Sequence, residues 1–328
     1  MSRSLDKDVA SSLQTGDSQA AFQQISTLLQ SHFSEGFLEL EILGKSHPFP
    51  DGYHVVQDGC AAGISKLGLV QAFLVARKRL NLDNSSSQQP TEDKLLGITA
   101  VMLFMDPEHL TSANTRKRVI LRKLARADVD ARDVVLKEKY FLDSLLTSRL
   151  HRHTKSPTLW SHLRWLLRLF PANNQPVCVL DDIQRVVFVA AERHPRNYYA
   201  WSHARFLVNI YPEGCDNSVV SAVRAWCFQH HTDISGWTFL LSLIQRMSSA
   251  LSKVLLTDVL TLVTSLRLTN ESTWVFLRTL AASRLIDDNS YARFVHAGRD
   301  LLQAVKSPAD QAVLQSALRW SETYRVKG

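Results

Sequence analysis

Four tryptophans recur along the chain at nearly constant intervals. Trp160, Trp201, Trp237 and Trp274 are separated by 41, 36 and 37 residues. The residues three, six and seven positions after each of them are apolar, which is the spacing of one helix face. A period of this length is typical of arrays of helical hairpins, in which each repeat buries its apolar face only against its neighbours.

A second amphipathic helix precedes each tryptophan, because apolar residues stand eighteen, fifteen and fourteen positions before it. A weaker copy of the pattern surrounds Ala113, with Leu95 and Ile98 upstream and Val119 and Ile120 downstream. We therefore predict an all-α fold, an α-α superhelix. It would be a solenoid of about five hairpins near 95–123, 140–170, 181–211, 218–247 and 254–284, with flanking helices at 65–80 and 308–325.

The first 64 residues lack this period, and we treat 1–64 as a separate segment of undefined structure before a repeat domain at 65–328. A helical pattern runs through Ala20–Leu29, and Phe37–Leu43 alternates apolar and acidic residues as a short strand does. The stretch from Asn81 to Lys94 has the composition of a polar surface loop.

The composition is that of a globular chain, with 45% hydrophobic and 21% charged residues among 328. The net charge of +7 comes without a long Lys/Arg block, so we expect no nucleic acid partner. Four cysteines without CxxC spacing fit a reducing compartment. The absence of a signal-peptide pattern near Met1, and of any apolar run approaching about 20 residues, predicts a cytoplasmic protein that is not integral to a membrane.

The residues around the tryptophans distinguish between repeat families. Tetratricopeptide repeats carry glycine four residues after the tryptophan, and here that position holds Arg164, Arg205, Leu241 and Arg278. The segment Arg196–Arg205 reads Asn-Tyr-x-x-Trp-Ser-His-x-Arg after its first arginine, and Lys155–Arg164 is a second copy with proline at the tyrosine position. This pattern resembles the repeat of protein prenyltransferase α subunits, and within that family the α subunits of type III geranylgeranyltransferase.

The resemblance implies a function that periodicity does not. The chain would be the α subunit of a heterodimeric protein geranylgeranyltransferase, which attaches a geranylgeranyl group to a cysteine thiol of a target protein. It would be inactive alone and would hold no cofactor, because zinc is expected in the partner β subunit, where it lowers the thiol pKa. The implied partners are a Rab-type β subunit, the cysteine-bearing acceptor protein, and geranylgeranyl diphosphate at the shared site.

The resemblance also assigns roles to residues. Arg196 and Tyr198 align with a lysine and a tyrosine that approach the diphosphate from the α side, and Lys155 is a second candidate. An arginine there would bridge phosphate oxygens, although a surface arginine at a helix start is the alternative. No catalytic residue is expected in this chain alone.

The remaining marked residues have structural alternatives. Trp160, Trp201, Trp237 and Trp274 are predicted to form the repeat core. The subunit-interface candidates are His162 and His203, which would otherwise hydrogen-bond between repeats, and Arg164, Arg205 and Arg278, which would otherwise form ion pairs between repeats. We expect no metal at His151/His153 or at His230-His231, because no carboxylate or cysteine set completes a site.

The alternative function is a non-enzymatic helical-repeat scaffold for protein–protein interaction. The repeats around Ala113, Trp237 and Trp274 have lost parts of the motif, and this loss favours the scaffold.

Overall fold

The computed structural model describes residues 17–34, 36–83, 91–169 and 178–326. The predicted all-α class is confirmed, since the regular structure of these residues is helical apart from one small three-stranded sheet. The chain forms two compact units. Among the described residues, the first contains those up to Cys178 together with Arg185–His203, and the second contains Val179–Gln184 together with those from Ala204 onward.

The first unit begins with a helix and a sheet. Helix α1 (Ser18–Gln30) is followed by strands β1 (Glu39–Leu43), β2 (Val55–Asp58) and β3 (Ala61–Ser65), and then by α2 (Lys66–Asp83). The strand order is β1-β3-β2, with β1 parallel and β2 antiparallel to β3. Only β1 has the alternating pattern of a strand, because β2 is mostly exposed and β3 carries the small residues Ala-Ala-Gly.

Helical hairpins complete the first unit. They are formed by α3 (Glu92–Met105) with α4 (Leu110–Leu124), and by α5 (Ala131–Leu146) with α7 (Pro157–Leu167), which follows the short α6 (His151–Thr154). Helix α4 packs on both α5 and α7, so that one hairpin covers the next. Of the predicted loop from Asn81 to Lys94, residues 84–90 lie outside the described residues and the ends belong to helices α2 and α3. The sequence also indicates a break at 171–176, which begins and ends with proline, and this stretch lies outside the described residues as well.

The third repeat starts with α8 (Val179–Asp182), a π-helical stretch at Ile183–Phe188 and α9 (Val189–Arg193), and its second helix is α10 (Tyr198–Ile210). Three further hairpins lie in the second unit. They are α11 (Asn217–Gln229) with α12 (Ile234–Ile244), α13 (Ser249–Leu266) with α14 (Glu271–Ala281), and α15 (Asp288–Ala304) with α16 (Pro308–Tyr324).

The second helices of the second unit stack in order, α12 on α14 and α14 on α16. Of the hairpin α15–α16, the sequence predicted only the second helix, as the flanking helix at 308–325, because the polar residues at 287–290 have the composition of a loop. Asp287 instead caps α15, where its side chain accepts a hydrogen bond from the backbone N–H of Ser290. Capping residues and loop residues are the same residue types, so the two signals are easily confused.

The four marker tryptophans are fully buried. Three of them use the indole N–H in the same way. The Nε1 atoms of Trp160, Trp237 and Trp274 donate to the carbonyl six residues earlier, at 2.8, 2.8 and 2.9 Å. The indole therefore fills the core and also holds the turn that leads into its own helix, which satisfies its buried polar atom.

Two of these carbonyls also accept a hydrogen bond from the following repeat. The Thr154 carbonyl accepts the Asn197 Nδ2 at 2.8 Å in addition to the indole of Trp160. The His231 carbonyl accepts the Thr273 Oγ1 at 2.9 Å in addition to the indole of Trp237. Each such carbonyl links one repeat to the next within its unit.

Candidate functional site

The three diphosphate candidates, Lys155, Arg196 and Tyr198, lie close together in the first unit. Lys155 follows Thr154 in the chain and Arg196 precedes Asn197, so the hydrogen bond between Asn197 and the Thr154 carbonyl joins the two turns that carry these cations. All three side chains are exposed, and Tyr198 is 68% exposed although it is a large aromatic residue.

The backbone at Arg196 is unusual. Its φ angle is +59°, in the left-handed region that costs a residue with a Cβ atom about 1 kcal/mol or more. The next residue fixes this turn, because Asn197 is fully buried, donates to Thr154, and accepts the N–H of Ala200 at the start of α10. The conformation that presents Arg196 is thus held by contacts of its neighbour.

Arg164 and Arg168 extend the same surface along α7. Arg164 is half-buried, and its pKa is lowered by burial and by the nearby Arg168, against an opposing effect of Tyr198. We call the residues Lys155, Arg164, Arg168, Arg196 and Tyr198 the Tyr198 surface. It combines an aromatic ring with several cations in one unit of the protein.

Two histidines lie beside the Tyr198 surface. The rings of His151 and His194 have their centroids 3.9 Å apart. Burial, together with the positive charges of Lys155 and His151, lowers the pKa of His194. The Nε2 of His194 is buried without a hydrogen-bond partner among the described residues.

His162 and His203 were predicted as interface candidates, but both are fully buried in this chain. The His203 ring packs against Trp160 with centroids 5.2 Å apart. The Nε2 of His162 lies 3.3 Å from the Glu138 carboxylate, without the alignment of a hydrogen bond. Neither imidazole reaches a surface that a partner could contact, and their contacts lie inside the repeat stack.

The sequence did not reveal the buried ion pair beside His162. The guanidinium of Arg116 donates to both carboxylate oxygens of Glu138, at 2.9 and 2.6 Å, and to the Leu96 carbonyl at 2.7 Å. Burial alone would raise the pKa of Glu138, but the charge and hydrogen bonds of Arg116 lower it overall. Arg116 and Glu138 stand on different hairpins, so only the packing of α4 against α5 brings them together.

The remaining interface candidates, Arg205 and Arg278, contact the following repeat of the second unit. Arg205 lies over the Phe239 ring at 5.7 Å and donates to Thr238, and Arg278 lies over the Trp320 ring at 5.0 Å. In the first unit Lys117, which stands at the same offset from Ala113, lies over the Trp165 ring at 5.4 Å. At three of these positions, 117, 205 and 278, a cation thus packs on an aromatic ring of the next repeat.

The paired histidines have separate partners. A ring nitrogen of buried His153 is 2.9 Å from the Phe104 carbonyl. His230 stacks on Trp226, while the Nδ1 of His231 faces the Asn270 amide at 3.1 Å. Within the described ranges, no three His, Cys, Asp or Glu side chains come together as a metal site would require.

Comparison with known proteins points to a different family from the one that the sequence motif suggested. Residues 159–266, about a third of the chain, match the family described as ECM9 middle domain. The matched stretch begins within α7 and ends with α13. No curated protein matches the chain.

The resemblance to prenyltransferase α-subunit repeats was therefore wrong. The structure gives the physical reason. Asn197 caps a helix and joins two repeats, and Trp201 fills the core. Any stack of helical hairpins can use asparagine and tryptophan in these ways, so the shared residues report the hairpin architecture and not a particular family.

Among the described residues, one helix, α13, is long and apolar enough to cross a membrane on length and composition alone. This is weak evidence, because the core helix of a globular protein passes the same test.

Proposed function

We propose that this protein is a non-enzymatic helical-repeat scaffold that binds an acidic partner protein through the Tyr198 surface. The observation that carries the proposal is the exposed Tyr198 ring among Lys155, Arg164 and Arg196. Tyrosine and arginine are the residues most enriched where protein interfaces concentrate their binding energy. Tyr198 is also the most exposed large apolar or aromatic side chain of the described residues.

Two further features support this proposal. The turn that presents Arg196 is fixed in a left-handed conformation, so the surface is preorganised and loses little entropy on binding. The chain also carries a net charge of +7, which attracts an acidic partner over a distance of about 10 Å at moderate salt. Both features suit recognition of a folded, negatively charged surface.

The transferase-subunit function stays a prediction, and it is not the one we propose, because the resemblance that suggested it was wrong. Co-expression with a Rab-type geranylgeranyltransferase β subunit separates the two functions. The scaffold function predicts that the two chains do not co-purify and that no prenyl group reaches an acceptor cysteine. A stable, active heterodimer would overturn it.

Site-specific photocrosslinking tests the scaffold function in cells. A photoreactive phenylalanine analogue replaces Tyr198 in one variant and Tyr324, which is 59% exposed, in a control variant. We expect a discrete crosslinked species from position 198 and none of the same mass from position 324.

The crosslink should also depend on charge. The substitutions Lys155→Glu and Arg164→Glu, made together, should remove it, because they turn attraction for an acidic partner into repulsion. A crosslink that survives this double reversal, or no species specific to position 198, would contradict the proposal.

A further inference from the structure

A groove in the second unit runs between α14 and α16 and opens into a cavity of about 220 Å³. Its floor is made of small and apolar side chains, including Val275, Ala312 and Ala317. Two charged residues of α14 line it, Glu271 and Arg278. They are seven residues apart, which places them on the same face of the helix at a separation of about 10 Å.

Arg278 has an aromatic support but no polar partner in the described part of the chain. Its guanidinium stacks on Trp320, and its Nε atom is buried without a hydrogen bond. Arg205, at the equivalent position of an earlier repeat, also lies over an aromatic ring and in addition donates to Thr238. The two arginines thus share a position but not a polar partner, and a buried N–H without one is unfavourable.

The size of the cavity limits what can fill it. Pockets for cofactors and drug-sized ligands have volumes of roughly 300–1,000 Å³, and this cavity is smaller. It suits one or two side chains of another protein. An arginine beside an aromatic ring can still offer its N–H groups to a carboxylate in a bidentate manner.

We propose that this groove binds a helical segment of a partner protein, and that a glutamate or aspartate of that segment inserts beside Arg278. Two turns along the partner helix, a lysine or arginine lies against Glu271. The groove thus recognises a partner helix that carries two opposite charges seven residues apart. This surface lies on α14 and α16, so the proposal does not depend on the Tyr198 surface.

A designed peptide tests this proposal on the full chain. The probe is a capped, alanine-rich helical peptide of about 18 residues with one glutamate and one lysine seven positions apart. Its binding is followed by the Nε–H resonance of Arg278 in ¹⁵N-arginine-labelled protein. We expect the resonance to shift on titration, and a peptide with glutamine in place of the glutamate to bind about tenfold more weakly, as loss of a charged hydrogen bond implies.

Matched protein variants identify the residue responsible. Arg278→Gln should abolish the preference for glutamate over glutamine, when it is followed by tryptophan fluorescence. Arg319→Gln, an equal loss of charge at an exposed position of α16, should preserve that preference. Equal affinity of the two peptides for the unaltered protein, no binding of either, or a preference that is lost with Arg319→Gln would each overturn the proposal. The peptide comparison uses unaltered protein, so it holds even if a variant folds poorly.

Discussion

At the scale of single residues, His162 occupies a site that disfavours the protonated, positively charged form of its imidazole. It is fully buried, and Arg116 and Lys117 are close enough to disfavour a second positive charge. Burial is the main cause that lowers the pKa of His162 to about 4, and the negative charge of Glu138 only partly offsets it. The imidazole is therefore neutral in the folded protein at any pH above about 4.

This neutrality makes the stability of the fold depend on pH. A histidine whose pKa is lower in the folded state binds protons preferentially in the unfolded state. The stability that the folded state gains by keeping His162 neutral is fully present above about pH 6.5 and is lost as the pH falls toward 4. The pKa of His153 is also lowered to about 4, mainly by burial, so it acts in the same direction.

We expect the free energy of unfolding to fall as the pH is lowered from 7 to 5, by roughly 2 kcal/mol for each of these two histidines. Urea titrations at pH 7, 6 and 5 measure the fall. His162→Gln removes one titrating group and should make the fall smaller, whereas His296→Gln, at an exposed position, should leave it unchanged. Glu138 loses its charge only below its ordinary range, so it does not contribute in this window. An equal slope for the wild type and His162→Gln would show that His162 is not the source.

At the scale of elements, the junction between two repeats depends on one buried amide. Asn197 caps α10 through its Oδ1 and joins the preceding repeat through its Nδ2. Asn270 caps α14 in the same way, but there the bond to the preceding carbonyl comes from Thr273. The two asparagines share the capping function, and each amide also contacts the preceding repeat. Asn197 donates to the Thr154 carbonyl at 2.8 Å, and Asn270 faces the Nδ1 of His231 at 3.1 Å.

Substitution of Asn197 and of Asn270 therefore compares what each side chain contributes to the stability of its junction. Asn197→Ala should cost about 2–3 kcal/mol, the sum of a lost cap and a lost buried hydrogen bond. Asn270→Ala should cost less, about 1–2 kcal/mol, because it removes the cap and a part-buried contact with His231, while Thr273 keeps its bond to the His231 carbonyl. Chemical denaturation of the two variants gives the comparison. Asn197→Ser, which keeps an oxygen for the cap, should fall between them, and equal costs at the two positions would rule out the inter-repeat link.

The sequence predicted those elements whose formation depends on local pattern. The tryptophan period located the hairpins because apolar spacing and capping residues lie within a few turns of each other. It did not predict strands β2 and β3, which form by pairing with each other on either side of a turn at Gly59 and Cys60. Nor did it predict the contact between Arg116 and Glu138, which are 22 residues apart in the chain. The Tyr198 surface was predicted only in part. Its residues were singled out from a motif, but their proximity depends on the bond between Asn197 and Thr154.

At the scale of the whole molecule, the repeat pattern identifies an architecture more readily than a function. Cation–aromatic contacts recur at the same offset in both units, at Lys117 with Trp165 and at Arg205 with Phe239. Such contacts are requirements of stacking, and they explain why motif residues suggested a family that the comparison does not support. The two surfaces that we propose as binding sites, the Tyr198 surface and the groove beside Arg278, were therefore chosen for their exposure and charge and not for the repeat motif.

Helix α13 has the length and apolar composition of a membrane-spanning helix, so its contacts bear on whether the protein could insert into a membrane. It carries two charged residues, and each pairs with a side chain of another element. Lys253 lies 2.7 Å from Asp287, and Asp258 lies 2.5 Å from Arg224. Its buried residues, among them Leu256, Val259 and Val263, face helices α14 and α15. Asp258 stands near the middle of α13, where a charge at the centre of a bilayer would cost about 3 kcal/mol, and both ion pairs would also be lost.

We therefore predict that alkaline carbonate releases the protein from any membrane fraction in which it is found, because α13 remains in its hairpin. Immunoblotting of the supernatant and pellet measures the release. The double variant Lys253→Leu and Asp258→Leu is the matched control, since it removes only the two charges and brings α13 closer to a spanning segment. Retention of the wild-type chain in the carbonate-washed pellet, at the level of the double variant, would contradict the packing of α13 within the second unit.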